Sequence, residues 1–136
     1  MRAAAVVFAA GIVLSGWGAA VAWASPATVA PPEVPDAEGV VFTDNPSIVD
    51  PRPIPIESWS RAGSDRAVTV HFTTGTPACN GVHATVRETA DAVTIGLSGG
   101  SLPRSAGRIC IMLALTGTLE VPLQRPLGDR QVLSGA

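Results

Sequence analysis

The sequence predicts a small all-β domain: an antiparallel sandwich or barrel of about six to eight short strands, held by one disulfide and preceded by a leader. Three observations lead there. Apolar residues alternate with polar ones in several runs beyond residue 66. Gly- and Pro-rich turns separate those runs, and no stretch sustains a helical period. The chain also carries exactly two cysteines, Cys79 and Cys110.

The leader comes first. Met1-Arg2 opens a run from Ala3 to Trp23 without a charge, ending in Ala22-Trp23-Ala24. A basic start, an apolar middle and small residues at an A-x-A site make a secretory signal peptide over residues 1–24, cleaved between Ala24 and Ser25. The alternative is an uncleaved anchor, since about 21 apolar residues can cross a bilayer core. Gly11, Ser15, Gly16 and Gly18 weaken that helix, and no basic cluster follows it. No cysteine stands at the cleavage site for lipidation, and a lone Arg2 does not make a twin-arginine signal.

Residues 25–38 hold Pro26, Pro31, Pro32, Pro35, Glu33, Asp36 and Glu38. Such a stretch buries too little apolar surface to order itself, so a disordered, extended spacer is expected. The β domain then occupies residues 39–136. Gly39–Thr43 reads as a first short strand. Pro46, Pro51, Pro53 and Pro55 follow. Alternating prolines fix every second φ and remove those donors, which favours polyproline II or an edge strand. Such an arm is a potential ligand for a proline-reading groove, but packing along its own domain accounts for it more simply. Trp59 is expected to anchor the arm in the core.

The clearest strands come next. Val68, Val70 and Phe72 share one face, with Thr69, His71 and Thr73 on the other. Val82, Ala84 and Val86 repeat the pattern, as do Val93, Ile95 and Leu97 after a five-residue connection, which makes a hairpin. Gly99–Gly107 is a loop by composition. Ile109–Leu115 is apolar on both sides and is expected to be a central strand buried on both faces. Leu119, Val121 and Leu123 alternate again, with Pro122 marking an edge or bulge. Pro126 and Gly128 mark a type II turn, and Gln131–Leu133 closes the sheet.

Composition excludes several functions. Without Arg2, eight arginines face eleven acids, with no lysine. A mildly acidic chain offers no electrostatic footprint for nucleic acid or an anionic membrane, and membrane contact is expected only if the leader stays. Two cysteines in an exported domain form one structural disulfide, worth about 3–4 kcal/mol by the chain-entropy argument. They lack the C-x-x-C spacing of a redox pair.

Candidate chemistry is sparse. Gly96-Leu97-Ser98-Gly99-Gly100 matches the G-x-S-x-G pattern of hydrolase nucleophiles, but no histidine follows Ser98 and no helix is expected after it. His71 and His83 fall on the non-core sides of their strands. Should those strands be neighbours, the imidazoles with Glu88 or Asp91 offer a weak zinc or copper site; a surface pair without function is the simpler reading. Glu88, Asp91 and Glu120 sit at turns or on outward faces, not as converging glycosidase acids. Asn45-Pro46-Ser47 fails the glycosylation rule because of its proline. No cofactor is implied.

Two blocks carry a resemblance. The first is Cys79-x-Gly81-Val82, Val86-x-Glu88-Thr89 and Val93-Thr94-Ile95-x-Leu97. The second is Cys110, Leu119-x-Val121-x-Leu123 and the ending Pro126-Leu127-Gly128-Asp129-Arg130. Over residues 68–133 the chain resembles small exported actinobacterial proteins, mycobacterial ones among them, of unknown function. The resemblance implies a secreted or envelope-tethered β domain with one disulfide and brings no activity. Asp129 and Arg130 are expected to hold the turn through hydrogen bonds and a charge pair. The expected function is a non-catalytic binding or adhesion module at the envelope or in the medium, with an exposed patch near Arg87, Arg104 and Arg108. The alternatives are an anchored structural envelope protein and a small hydrolase using Ser98.

Overall fold

The computed structural model describes residues 28–135. The predicted leader, with Ala22, Ala24 and Ser25, lies outside them. The described residues form eight strands: β1 (Val40–Phe42), β2 (Val49–Pro53), β3 (Ser58–Arg61), β4 (Ala67–Thr74), β5 (Asn80–Glu88), β6 (Ala92–Ser101), β7 (Leu115–Pro122) and β8 (Gln131–Gly135). One sheet runs β1-β7-β4-β3; the other runs β2-β6-β5, with β8 also on β6. Most pairs are antiparallel, but β1 joins β7 and β8 joins β6 in parallel.

The inward residues are those the alternation marks, except Val86, which is 38% exposed near the end of β5. Val68, Val70 and Phe72 meet Val82, Val93, Ile95, Leu97, Leu119, Val121 and Val132 between the sheets. Phe42 and Phe72 pack with ring centroids 5.6 Å apart over Gly117. A Cβ at Gly117 would lie 2.6 Å from the Phe72 ring, so only glycine admits this pair. Trp59 is buried as expected, paired with Val70. The proline arm supplies β2, which pairs with one end of β6 at the sheet edge, where missing donors do least harm. Asp50 takes a positive φ of 51° in the irregularity between Val49 and Arg52.

Residues 28–38 do not behave as a disordered spacer. The Val34 N–H bonds Trp59 O at 2.8 Å, and the Trp59 N–H bonds Pro32 O at 3.1 Å, so the segment lies along the β3 edge. Val29 exchanges two bonds with Ser134 of β8. Residues 29–34 thus bridge the edges of both sheets and bury Pro31. On the opposite side Asp44 forms a parallel bridge with Val82, joining the β1 end to β5. Composition argued for disorder because this segment lacks a core of its own. It instead satisfies the free backbone groups of two edge strands.

The larger correction concerns residues 109–114, which form no strand at all. Ile109 is 103% exposed, Ile111 78%, Met112 100% and Leu113 53%. The chain reaches β7 only at Leu115. The central position between β1 and β4 belongs to Leu115–Pro122, where Leu119 and Val121 are buried. Pro122 ends that strand, past the Gly117–Leu119 stretch that β1 covers.

Candidate functional site

The exposed apolar segment is built from the disulfide outward. Cys79 ends the β4–β5 connection and is bonded to Cys110, with Cα atoms 6.2 Å apart. The Leu102 N–H and the Ser105 hydroxyl both donate to Cys79 O at 2.8 Å, which fixes the short 3-10 turn Pro103–Ser105 against the same point. Beyond Cys110 the Leu113 N–H closes a three-residue turn onto Ile111 O at 3.0 Å. Met112 sits at the apex, and β7 begins two residues after Leu113. The result is a short apolar tip clamped at both ends. An open hollow of about 480 Å³, lined by Thr73, Thr74, Gly75 and Asn80 opposite the tip, lies between it and the end of β4. Arg104 and Arg108 precede the tip and are exposed.

The two histidines do not meet. His71 lies on β4 and His83 on β5, in different sheets. The condition for the weak His71–His83 metal site, neighbouring strands, is therefore not met. His83 stays on the outer face, where Nδ1 is 3.0 Å from Asp44 Oδ1; the same oxygen accepts the Ala84 N–H at 2.8 Å.

His71 is 2% exposed despite facing away from the core, because Ser60 and the residues running to Asp36 lie over it. Its Nε2 is 2.7 Å from Ser60 Oγ, which also lies 3.2 Å from Pro35 O. Nδ1 is buried without a partner among the described residues. Burial pushes the His71 pKa below its ordinary value, and the nearby Asp36 charge only partly opposes this. A base with a lowered folded pKa stabilises the fold above the unfolded value, about 6.5, and that contribution is lost as pH falls through the folded value. Urea titrations at pH 7.5 and 5.5 are expected to show the loss in the parent chain, at most about 1.4 kcal/mol per pH unit, and not in His71→Gln. Equal losses in both would show that His71 does not titrate there.

Ser98 faces His83 across the β5–β6 register, with Asp44 behind the imidazole, so the three follow triad order. No hydrogen bond joins Ser98 to His83 among the described residues. Ser98, Gly99 and Gly100 all continue in β6 between β5 and β2. The sharp turn that frees an amide for an oxyanion in a nucleophile elbow is therefore missing. Ser98 instead lines an open hollow of about 590 Å³ with Pro53, Thr85, Arg87 and Thr94.

The turn at the chain's end differs in detail from expectation. It closes from Leu127 to Arg130, with Gly128 at φ 55° in its first central position, the sense of a primed turn. Arg130 pairs with Glu88, not with Asp129. Sequence reasoning missed Asp44 and Ser60, and the pairing of Glu88 with Arg130, because each acts on a partner distant in the chain. The exposure of the apolar tip had no signal in the sequence, because Cys110 stands at the start of the run and a strand from Ile109 would also bring it to a sheet end.

No known family, curated protein or solved structure matches this chain. The disulfide is consistent with an oxidising, extracytoplasmic location. Among the described residues no helix is long and apolar enough to cross a membrane.

Proposed function

We propose that this chain is an exported, non-catalytic binding module of the cell envelope or medium, and that Ile109–Ala114 is its contact element. One observation carries the reading: four large apolar side chains stand exposed on a tip clamped by a disulfide. Free apolar surface of that kind costs solubility and is kept where something covers it. The clamp supports the same reading, because a pre-ordered tip loses less entropy on contact than a free loop. The leader sequence and the disulfide both support export, and kinship with small exported actinobacterial proteins belongs to the same proposal.

Adding the purified chain back to envelopes of the producing cells tests it. The parent is expected to adsorb, and Ile111→Asp/Met112→Asp to remain in solution with an unchanged disulfide and unfolding midpoint. Equal adsorption of both, or none by the parent, would overturn the reading. The intact mass of the native protein in medium and membranes decides export: a species starting at Ser25 supports release, and one keeping Met1 supports the anchored structural protein instead.

A further inference from the structure

We infer that the tip contacts an anionic lipid surface, with Ile109, Ile111, Met112 and Leu113 entering the headgroup–acyl boundary and Arg104 and Arg108 pairing with lipid phosphates. This rests on the binding-module reading and names its partner. The first argument is the chemistry of the tip. From Ile109 to Leu115 every side chain is aliphatic or a thioether, apart from the bonded Cys110. Protein interfaces surround an apolar centre with hydrogen-bonding groups that set register. Within the tip no side chain donates or accepts. Hydrocarbon needs no such register, and a tight turn projecting past a cystine suits shallow insertion, about 5–10 Å deep.

Charge is the second argument. The chain as a whole carries more acids than arginines, yet from Ala92 to Leu119 it holds Arg104 and Arg108 and no acid. The Thr74–Gly81 segment beside the tip has none either. Among the described residues neither arginine has an ion pair. Asp44, on the neighbouring segment, is engaged by His83 and the Ala84 N–H. Glu57 is held across the hollow, where it accepts the Thr73 hydroxyl at 2.9 Å. The charges on the tip's own segment are the two arginines, and an apolar turn with adjoining positive charge is the combination that holds a domain reversibly on anionic lipid. A second copy fits less well, because a two-fold contact through the tip would bring each copy's two arginines towards their equivalents.

Co-sedimentation of the whole chain with vesicles tests this, comparing phosphatidylcholine alone with phosphatidylcholine containing phosphatidylglycerol. The parent is expected to bind the anionic vesicles and to weaken as salt rises. Arg104→Gln/Arg108→Gln is expected to bind them about 30-fold less tightly, and Ile111→Asp/Met112→Asp to lose binding. Any retained leader is common to all variants, so their differences report the tip. Vesicle binding that survives both double substitutions would overturn the inference. Tip-dependent adsorption to envelopes without vesicle binding would also overturn it in favour of a protein or glycan partner, leaving the binding module intact. A tip-dependent dimer by light scattering, with no vesicle binding, would assign the tip to a second copy. A parent chain that binds neither envelopes nor vesicles would remove the two readings together.

Discussion

Arg130→Ala is expected to lower the unfolding free energy by about 1.5–3 kcal/mol, the range for losing hydrogen bonds to a charged group. Arg130 and Glu88 are only 8% and 11% exposed. Both terminal guanidinium nitrogens bond Glu88 Oε1 at 3.1 Å. The group also donates to the carbonyls of Thr89, Arg125, Pro126 and Leu127. One side chain therefore ties the β5–β6 turn to the segment that leads into β8. Truncation leaves a buried carboxylate without its counter-charge and several carbonyls short of a donor.

Acid has a related effect on the same cluster. The Glu88 carboxyl is held below its ordinary range, chiefly by the Gln124 N–H donating at 2.7 Å, with Arg130 assisting against the cost of burial. A depressed carboxylate stabilises the fold above its unfolded value, about 4.3, and the contribution is lost as pH falls through the folded value. Urea denaturation of the parent, Arg130→Ala and Glu88→Gln between pH 7 and pH 3 separates the effects. Glu88→Gln is expected to lose less stability than the parent below pH 5. An Arg130→Ala chain within about 1 kcal/mol of the parent at pH 7 would show that the pair is not worth its burial.

What the sequence shows and hides follows the range of each interaction. Alternation is local, so β4, β5 and β6 and most of their inward residues were legible; Val86 is the exception, because alternation does not show where the opposite sheet stops covering a strand. So were the edge character of the proline arm and the burial of Trp59. Hydrophobicity alone does not say whether an apolar run is covered, and Ile109–Leu115 reads the same buried or bare. Coverage is a long-range property, decided here by where Cys79 holds Cys110. Segment 28–38 fails for the mirror reason: its composition is that of a free linker, while its order comes from edge strands 25 to 105 residues further along. His71 follows from that segment, since the alternation places it on an outer face and only the overlying chain buries it. The Glu88–Arg130 pair spans 42 residues and has no local signature.

Replacing both cysteines with serine is expected to lower stability by about 3–4 kcal/mol, because the bridge closes a span of 31 residues in the unfolded chain. The core should persist. Neither cysteine belongs to the buried cluster, and β5 and β6 remain joined by nine register pairs without the bridge. The tip is where the change concentrates. Its anchor at Cys110 disappears, while the bonds from Leu102 and Ser105 to Cys79 O hold only the 3-10 turn that precedes it. Protease cleavage between Arg108 and Leu113 should therefore rise well before the domain unfolds. Contact by the tip should weaken even at temperatures where both chains are folded, since the loop must then be ordered at the moment of binding. Urea titration, limited proteolysis and envelope adsorption on the same serine variant distinguish these effects. A stability loss below about 1 kcal/mol would mean that the bridge does little to restrict the unfolded chain. Unchanged adsorption would mean that contact does not depend on a pre-ordered tip.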